Sequence, residues 1–351
     1  MASPPDRIPQ LDGLRAIAVT AVLFSHTISD DTTLETLGTS GVRLFFVISG
    51  YLITRILLDH QQVPVSQLLK TFYLRRFLRI FPLYYFFLLI TAVLGFPEWH
   101  ESWPWYVTFT SNIQLLQFER WPAGRLNHLW SLAVEEQFYL IWPWIIVFCP
   151  RPRLLTVLMV CILIGPLFRV IGYGSTLHFA IWYQTPANAD LLGLGALLAY
   201  LYQQGTRLPT GRTSLLLIGV TLAVTVFLQA SELRYQMSHS IYYSLQPLIE
   251  GLLGMLLVDR ATQSKSDLWG RLLASRPMTY LGMISYGIYL WHGLFVPNPF
   301  LSYGVWMFIA VTISSVLIAS FSWYLLEKPL NDLRHQFPYA GTERKPPRSD
   351  H

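Results

Sequence analysis

Charged residues are scarce in this sequence. Only 13% of its 351 residues are Asp, Glu, Lys or Arg, about half the share usual in soluble domains. The deficit runs the whole length, which argues against a soluble enzyme and for a chain that crosses a membrane many times. Cysteine is rarer still. Cys149 and Cys161 both lie in or beside apolar runs, and they read as small packing residues rather than a disulfide or a metal pair. No metal is implied. No basic block is long enough to track a nucleic acid, because the net charge of +5 comes from short clusters between apolar runs; nucleic acid is not an expected partner. No good small-residue cleavage site follows the apolar stretch Ala16 to Phe24, so it predicts an uncleaved first span. There is no convincing internal repeat and no second domain.

Hydrophobic residues fill the space that charge leaves, at 53% of the chain with mean hydropathy +0.40. Apolar runs of about 17–25 residues can span a bilayer. They fall at 12–29, 42–59, 81–97, 128–148, 154–172, 178–203, 214–231, 241–258, 274–295 and 303–326. This pattern predicts an all-α polytopic membrane bundle of about ten transmembrane helices. Residues 103–116 are apolar but interrupted by Thr108, Thr110, Ser111 and Asn112, as a re-entrant or interfacial segment would be. Residues 1–330 read as one membrane domain and 331–351 as a short disordered cytoplasmic tail. Arg55, Lys70, Arg75, Arg76 and Arg79 follow the second span, Arg151 and Arg153 the fourth, Arg207 and Arg212 the sixth, and Arg260, Lys265, Arg271 and Arg276 the eighth. Alternate loops hold Asp30, Asp31 and Glu35, or Glu98, His100 and Glu101. The positive-inside tendency then predicts a cell (inner) membrane protein with both termini cytoplasmic.

The ionisable residues inside the spans carry the functional signal, because each is costly there unless it faces a bundle interior or a watery path. Arg15 and His26 are eleven residues apart in the first span, close to one helical face. In the second span Ser49-Gly50 is a small pair in an aromatic run; it serves either close helix packing or room for a substrate. Ser66 to Pro82 reads as a cytoplasmic interfacial basic helix, with Pro82 as a boundary. Its Arg76 and Arg79 are i, i+3 neighbours, suited to hold headgroup phosphates as an anchor or to grip a ligand phosphate. The fourth span opens with His128-Leu-Trp-Ser-Leu-Ala-Val-Glu-Glu-Gln-Phe-Tyr139. Ser131, Glu135 and Tyr139 form an i, i+4 stripe, while Glu136 points about 100° away and is expected to face another groove. Asp190 is a candidate partner for Arg15 or Arg169, and Glu250 is a similar, less informative acid. Ser285, Tyr289 and His292 share one face of the ninth span; His292 reads as an interfacial residue with a structural role.

Together these pieces resemble the acyltransferase-3 family of integral membrane O-acyltransferases. The resemblance covers about residues 8–330 and rests on Asp12-Gly-Leu-Arg15 with His26, Phe45 to Tyr51, Arg76-Phe-Leu-Arg79-Ile-Phe-Pro82, Ser131 to Tyr139, Ser285 to His292 and Glu327-Lys-Pro329. Two positions depart from it: Arg43 stands where the family often has an acid, and Asn188 where it often has Arg. Some members carry an esterase-like domain after the last span, and this length leaves the expectation of a chain without one. The resemblance implies a cytoplasmic acyl-CoA donor, typically acetyl-CoA, and a carbohydrate or lipid-linked acceptor hydroxyl arriving from the other side, next to membrane lipid. It implies His26 as general base, Glu135 as its hydrogen-bonded orienter, Arg15 in support, Arg76 and Arg79 on the CoA phosphates, and Ser49, Ser131 and Tyr139 in the substrate pocket. The competing reading is a proton-coupled transporter or flippase of a glycan or lipid-linked sugar, since buried His, Glu and Asp also make proton relays. The sequence is silent on the acceptor, the acyl chain length and the oligomeric state.

Overall fold

The computed structural model describes residues 7–28, 32–118, 124–173, 178–230, 239–263, 266–296 and 304–339. Every regular element among them is helical, with no strand. The loop acids Asp30 and Asp31 and the tail residues 340–351 lie outside this set.

Two helices form the centre. Helix α1 (Pro9–Ile28) and helix α2 (Thr32–Asp59) pack side by side and bury most of their apolar side chains. Helix α3 (Val65–Val93) is continuous through Pro82. The expected boundary there, and a separate interfacial basic helix before it, are therefore corrected: the basic stretch is the first half of one long helix. Its Leu68, Leu69, Phe72 and Ile80 are buried in the bundle, so apolar burial holds the helix together where Pro82 costs it a backbone hydrogen bond. Short helices α4 (Trp99–Val107) and α5 (Ser111–Gln114) then lead into α6 (Leu129–Phe148). Helix α7 (Arg151–Tyr173), a turn α8 (His178–Ile181), α9 (Ala189–Gln203), α10 (Gly211–Ala230) and α11 (His239–Gln263) follow. The chain continues as α12 (Leu268–Leu273), α13 (Arg276–Met283), α14 (Ser285–Phe295) and α15 (Gly304–Ser322), then a π-helical turn (Trp323–Glu327) and α16 (Lys328–Leu333). Residues 334–336 add a helical turn and Tyr339 is buried, so residues 331–339 of the expected tail are ordered. Outer helices α7, α10 and α15 display Leu163, Leu167, Leu216, Leu317 and other apolar side chains, as a lipid-facing surface should.

Seven helices among the described residues are long and apolar enough to cross a membrane, rather than about ten. The three expected spans that fall short are 128–148, 178–203 and 274–295. Each has a physical reason. Helix α6 carries Glu135, Glu136 and Gln137. Helix α9 has 15 residues, about 22 Å of helix against a hydrocarbon core of about 30 Å. The third is split, with α13 ending and α14 beginning around the fully buried Ile284. Irregular backbone at such depth needs protein around it and partners for its freed groups, and the Ser285 hydroxyl donates to the Gly282 carbonyl at 2.9 Å.

Helix α9 meets α2 at very short range. A Cβ on Gly50 would come within 2.0 Å of the Leu192 carbonyl oxygen, and one on Gly195 within 2.0 Å of the Val47 carbonyl oxygen. Buried ion pairs pin the surrounding helices. Arg169 of α7 makes a two-pronged contact with Asp190 of α9 at 2.6 and 3.1 Å and also reaches the Ser244 carbonyl. Arg43 of α2 pairs with Glu250 of α11 at 2.7 Å. The residue at which the sequence departs from the family pattern thus has its own partner. Arg15 pairs within α1 with Asp12 at 3.2 Å.

Candidate active site

Helices α1, α2, α3, α6 and α14 line a cavity of about 80 Å³. Seven of the eight candidates read from the sequence line it: Arg15, Ser49, Arg76, Arg79, Ser131, Glu135 and Tyr139. Ser49 and Gly50 divide the two roles considered for that pair. Gly50 faces α9, and the Ser49 hydroxyl faces the cavity, where it donates to Glu135 Oε1 at 2.6 Å. Tyr139, one turn on from Glu135, donates to Ser49 Oγ at 2.9 Å. Glu136 also lines this cavity. The expectation that it faces another groove is corrected, because the cavity wraps more of α6 than the 100° between adjacent residues.

Three guanidinia therefore meet two carboxylates. The Arg76 guanidinium lies over the rings of Tyr139 and Phe72, at 5.1 and 5.7 Å from their centres. Among the described residues neither Arg76 nor Arg79 forms an ion pair, whereas Arg15 does. Positive charge accumulates further at this end of the bundle. Arg75 lies over the Tyr339 ring at 5.0 Å. Burial, with the Arg76 and Arg75 guanidinia beside it, pushes the Arg334 pKa down to about 10. Such crowding is relieved by an anion, and planar guanidinia suit phosphate oxygens.

His26 does not line this cavity. Its Nδ1 lies 3.1 Å from Nε2 of His292, and the two rings stack with centres 5.2 Å apart. Of the expected reach between Glu135 and His26, direct or through one water, the direct hydrogen bond is not formed: Glu135 takes Ser49 and His26 takes His292. The His292 Nδ1 contacts the Tyr289 carbonyl. A carbonyl only accepts, so His292 Nδ1 carries the proton and, in the neutral ring, Nε2 accepts. His26 must then donate from Nδ1, which leaves its Nε2 with a free lone pair. His26 is partly exposed, whereas His292 is 1% exposed. A third ring, His128, has its centre 4.8 Å from that of His292.

Tyr289 stands between the two groups. It lines the cavity, its ring centre is 5.4 Å from His292 and 5.5 Å from His128, and its hydroxyl lies 2.6 Å from Ser131 Oγ. Together Tyr289 and Ser131 form a thin polar partition from cavity to histidines. The profile of the family described as the acyltransferase domain matches residues 8–327. The chain belongs to this acyltransferase family.

Relatives in the acyltransferase family include the peptidoglycan O-acetyltransferase OatA of Listeria monocytogenes, 29% identical over 92% of this chain and 56% of its own length. The O-acetyltransferase OatA of Staphylococcus aureus is 28% identical over 93% of this chain and 57% of its own. The putative peptidoglycan O-acetyltransferase YrhL of Bacillus subtilis is 28% identical over 92% and 55%. The chain thus spans little more than half the length of these curated relatives. No solved structure matches it significantly. Within this acyltransferase chain the sequence reading underrated three residues. Tyr289 and His292 already stood on one face of the ninth span, and His128 opened the fourth, but nothing local shows that those faces converge on His26.

Proposed function

We propose that this chain is an integral membrane O-acetyltransferase that moves an acetyl group from acetyl-CoA to a carbohydrate hydroxyl. Peptidoglycan, which the relatives' names specify, is the first acceptor to test. The observation that carries this reading is a histidine with a free Nε2, joined through His292 to Tyr289 on the wall of a cavity whose Arg76 and Arg79 lack ion pairs among the described residues. The CoA phosphates sit on Arg76 and Arg79, with Arg334 nearby, and the thioester end extends toward Tyr289 and Ser131. His26 Nε2 takes the proton as the acceptor O–H bond breaks, and the oxygen bonds to the thioester carbonyl carbon. The C–S bond then breaks, the acetyl group stays on the acceptor oxygen, and the departing thiolate takes up the proton. His292 holds the His26 tautomer, as the orienting group of a triad does. Arg15 and the Glu135–Ser49–Tyr139 chain shape the wall that faces the thioester.

Counting α6, α9 and the α13–α14 pair as crossing elements gives ten passages. With Lys and Arg gathered after the even-numbered ones, both termini lie in the cytoplasm and the Arg76–Arg79 end faces the CoA pool. Membership of an acyltransferase family weighs against the transporter reading. The test is transfer of labelled acetyl from acetyl-CoA to glycan in proteoliposomes. Wild type should transfer, and His26→Ala should lose about 10²–10⁴-fold in turnover while keeping its melting temperature. Wild-type turnover by a folded His26→Ala variant would overturn the assignment of the base.

A further inference from the structure

A second cavity, of about 730 Å³, opens where α3 ends and α4 and α5 begin, and shares no lining residue with the first. The turn between α4 and α5, beside it, is firmly placed. Gln137 of α6 donates to the Phe109 carbonyl and to Asn112 Oδ1, both at 2.9 Å, and Phe109 holds a positive φ of 54°, which a bulky residue adopts only where its surroundings enforce it.

Two residues that line this cavity each hold a buried polar atom without a hydrogen-bond partner: Glu98 Oε2 and Ser111 Oγ. Ser111 is 6% exposed. Buried polar atoms are nearly always satisfied, so an orphaned pair in the wall beside one cavity points to a missing partner. The other Glu98 oxygen accepts from the Arg125 backbone N–H at 2.6 Å, which fixes the carboxylate. The Arg125 guanidinium lies over the Phe96 ring, 5.1 Å from its centre. Burial and the Glu98 charge push the Tyr106 pKa up, so its hydroxyl stays a donor. One fixed carboxylate is balanced by one guanidinium, hydroxyls and the Asn127 amide stand around them, and the half-buried Phe118 supplies a flat face.

That set suits a neutral polyol. Sugar hydroxyls donate to a carboxylate, accept from hydroxyls and amides, and present C–H faces to an aromatic ring. It suits a phosphate poorly, since Glu98 would repel one. The place is also right: Asn127 lines the cavity, and the next residue is His128, whose Nδ1 is 3.0 Å from the Arg125 carbonyl and whose ring neighbours His292. We propose that this cavity is the acceptor site, taking a neutral oligosaccharide with hydroxyl and amide substituents, with Glu98 and Ser111 as its recognition residues. The role as acceptor site rests on the transferase reading above.

The test uses the full-length protein in nanodiscs with chitotetraose as probe. Saturation-transfer NMR measures sugar binding, steady-state transfer gives the acceptor KM, and titration with a non-reactive thioether analogue of acetyl-CoA gives donor affinity. Glu98→Gln keeps the oxygen that meets Arg125 N–H but removes the charge. It should weaken sugar binding and raise the acceptor KM about tenfold with donor affinity unchanged. Ser111→Ala breaks no protein hydrogen bond, so it folds, and it should weaken binding about threefold. Absence of sugar binding by wild type, or wild-type binding by both variants, would overturn the site. Binding by wild type that both variants weaken, without any acetyl transfer, would leave the site standing and sink the transferase reading instead.

Discussion

A neutral imidazole has one proton to place, and the placement decides what the ring can do. The Tyr289 carbonyl fixes it on His292 Nδ1, and His292 Nε2 in turn fixes it on His26 Nδ1. His292→Ala removes that second acceptor, so His26 divides between tautomers. Turnover should fall about tenfold, the worth of one ordinary hydrogen bond, with donor and acceptor KM unchanged. His292→Asn offers a side-chain oxygen and should recover part of the loss; a merely structural His292 would show no such rescue in steady-state kinetics. The arginines make the opposite split. Arg79→Lys keeps charge but loses the planar fork, and Arg334→Ala removes a charge at the crowded end. Both should raise the donor KM several-fold and leave kcat near wild type. Unchanged donor KM in both would reduce these residues to anchors at the membrane surface.

Helices succeed or fail here by what lies across from them. Gly50→Ala would put a methyl group 2.0 Å from the Leu192 carbonyl oxygen, and backbone cannot yield as a side chain can. Overpacking of this kind costs about 1–3 kcal/mol, which melting in detergent should report as a loss of several degrees. Polar residues at helical spacing were legible in the sequence: Ser131, Glu135 and Tyr139 share a stripe because 3.6-residue periodicity puts them there, and that stripe lines the cavity. Helix ends were harder. Pro82 looked like a boundary because local sequence does not register the burial of Ile80 and Leu83 on either side of it. The partner of His26 was illegible, since His292 is 266 residues away and only the packed bundle joins them. Glu135 as the orienter of His26 was what the family resemblance implied, and His292, which takes that place, read as an interfacial, structural residue.

At the scale of the molecule, seven of the described helices are long and apolar enough to cross a membrane, and the elements that fall short, α6, α9 and the α13–α14 pair, contribute Glu135, Glu136, Asp190 and His292. Buried ion pairs make that arrangement possible. Asp190→Asn would leave the Arg169 guanidinium buried beside a neutral side chain, a loss of about 3–5 kcal/mol, so the variant should give little folded protein in size-exclusion of detergent extracts. The double variant Arg169→Met with Asp190→Leu should restore much of that yield, because an apolar pair of similar volume needs no charge compensation. The Arg43–Glu250 pair carries a different implication, one that concerns time. The chain is made from its N-terminus at about 5–20 residues per second, so Glu250 follows Arg43 by roughly ten to forty seconds. Through that interval α2 carries, near one end of its span, a guanidinium whose carboxylate is not yet synthesised and which must snorkel to water at the interface. A chain cut short before Glu250 would keep that cation without its buried partner.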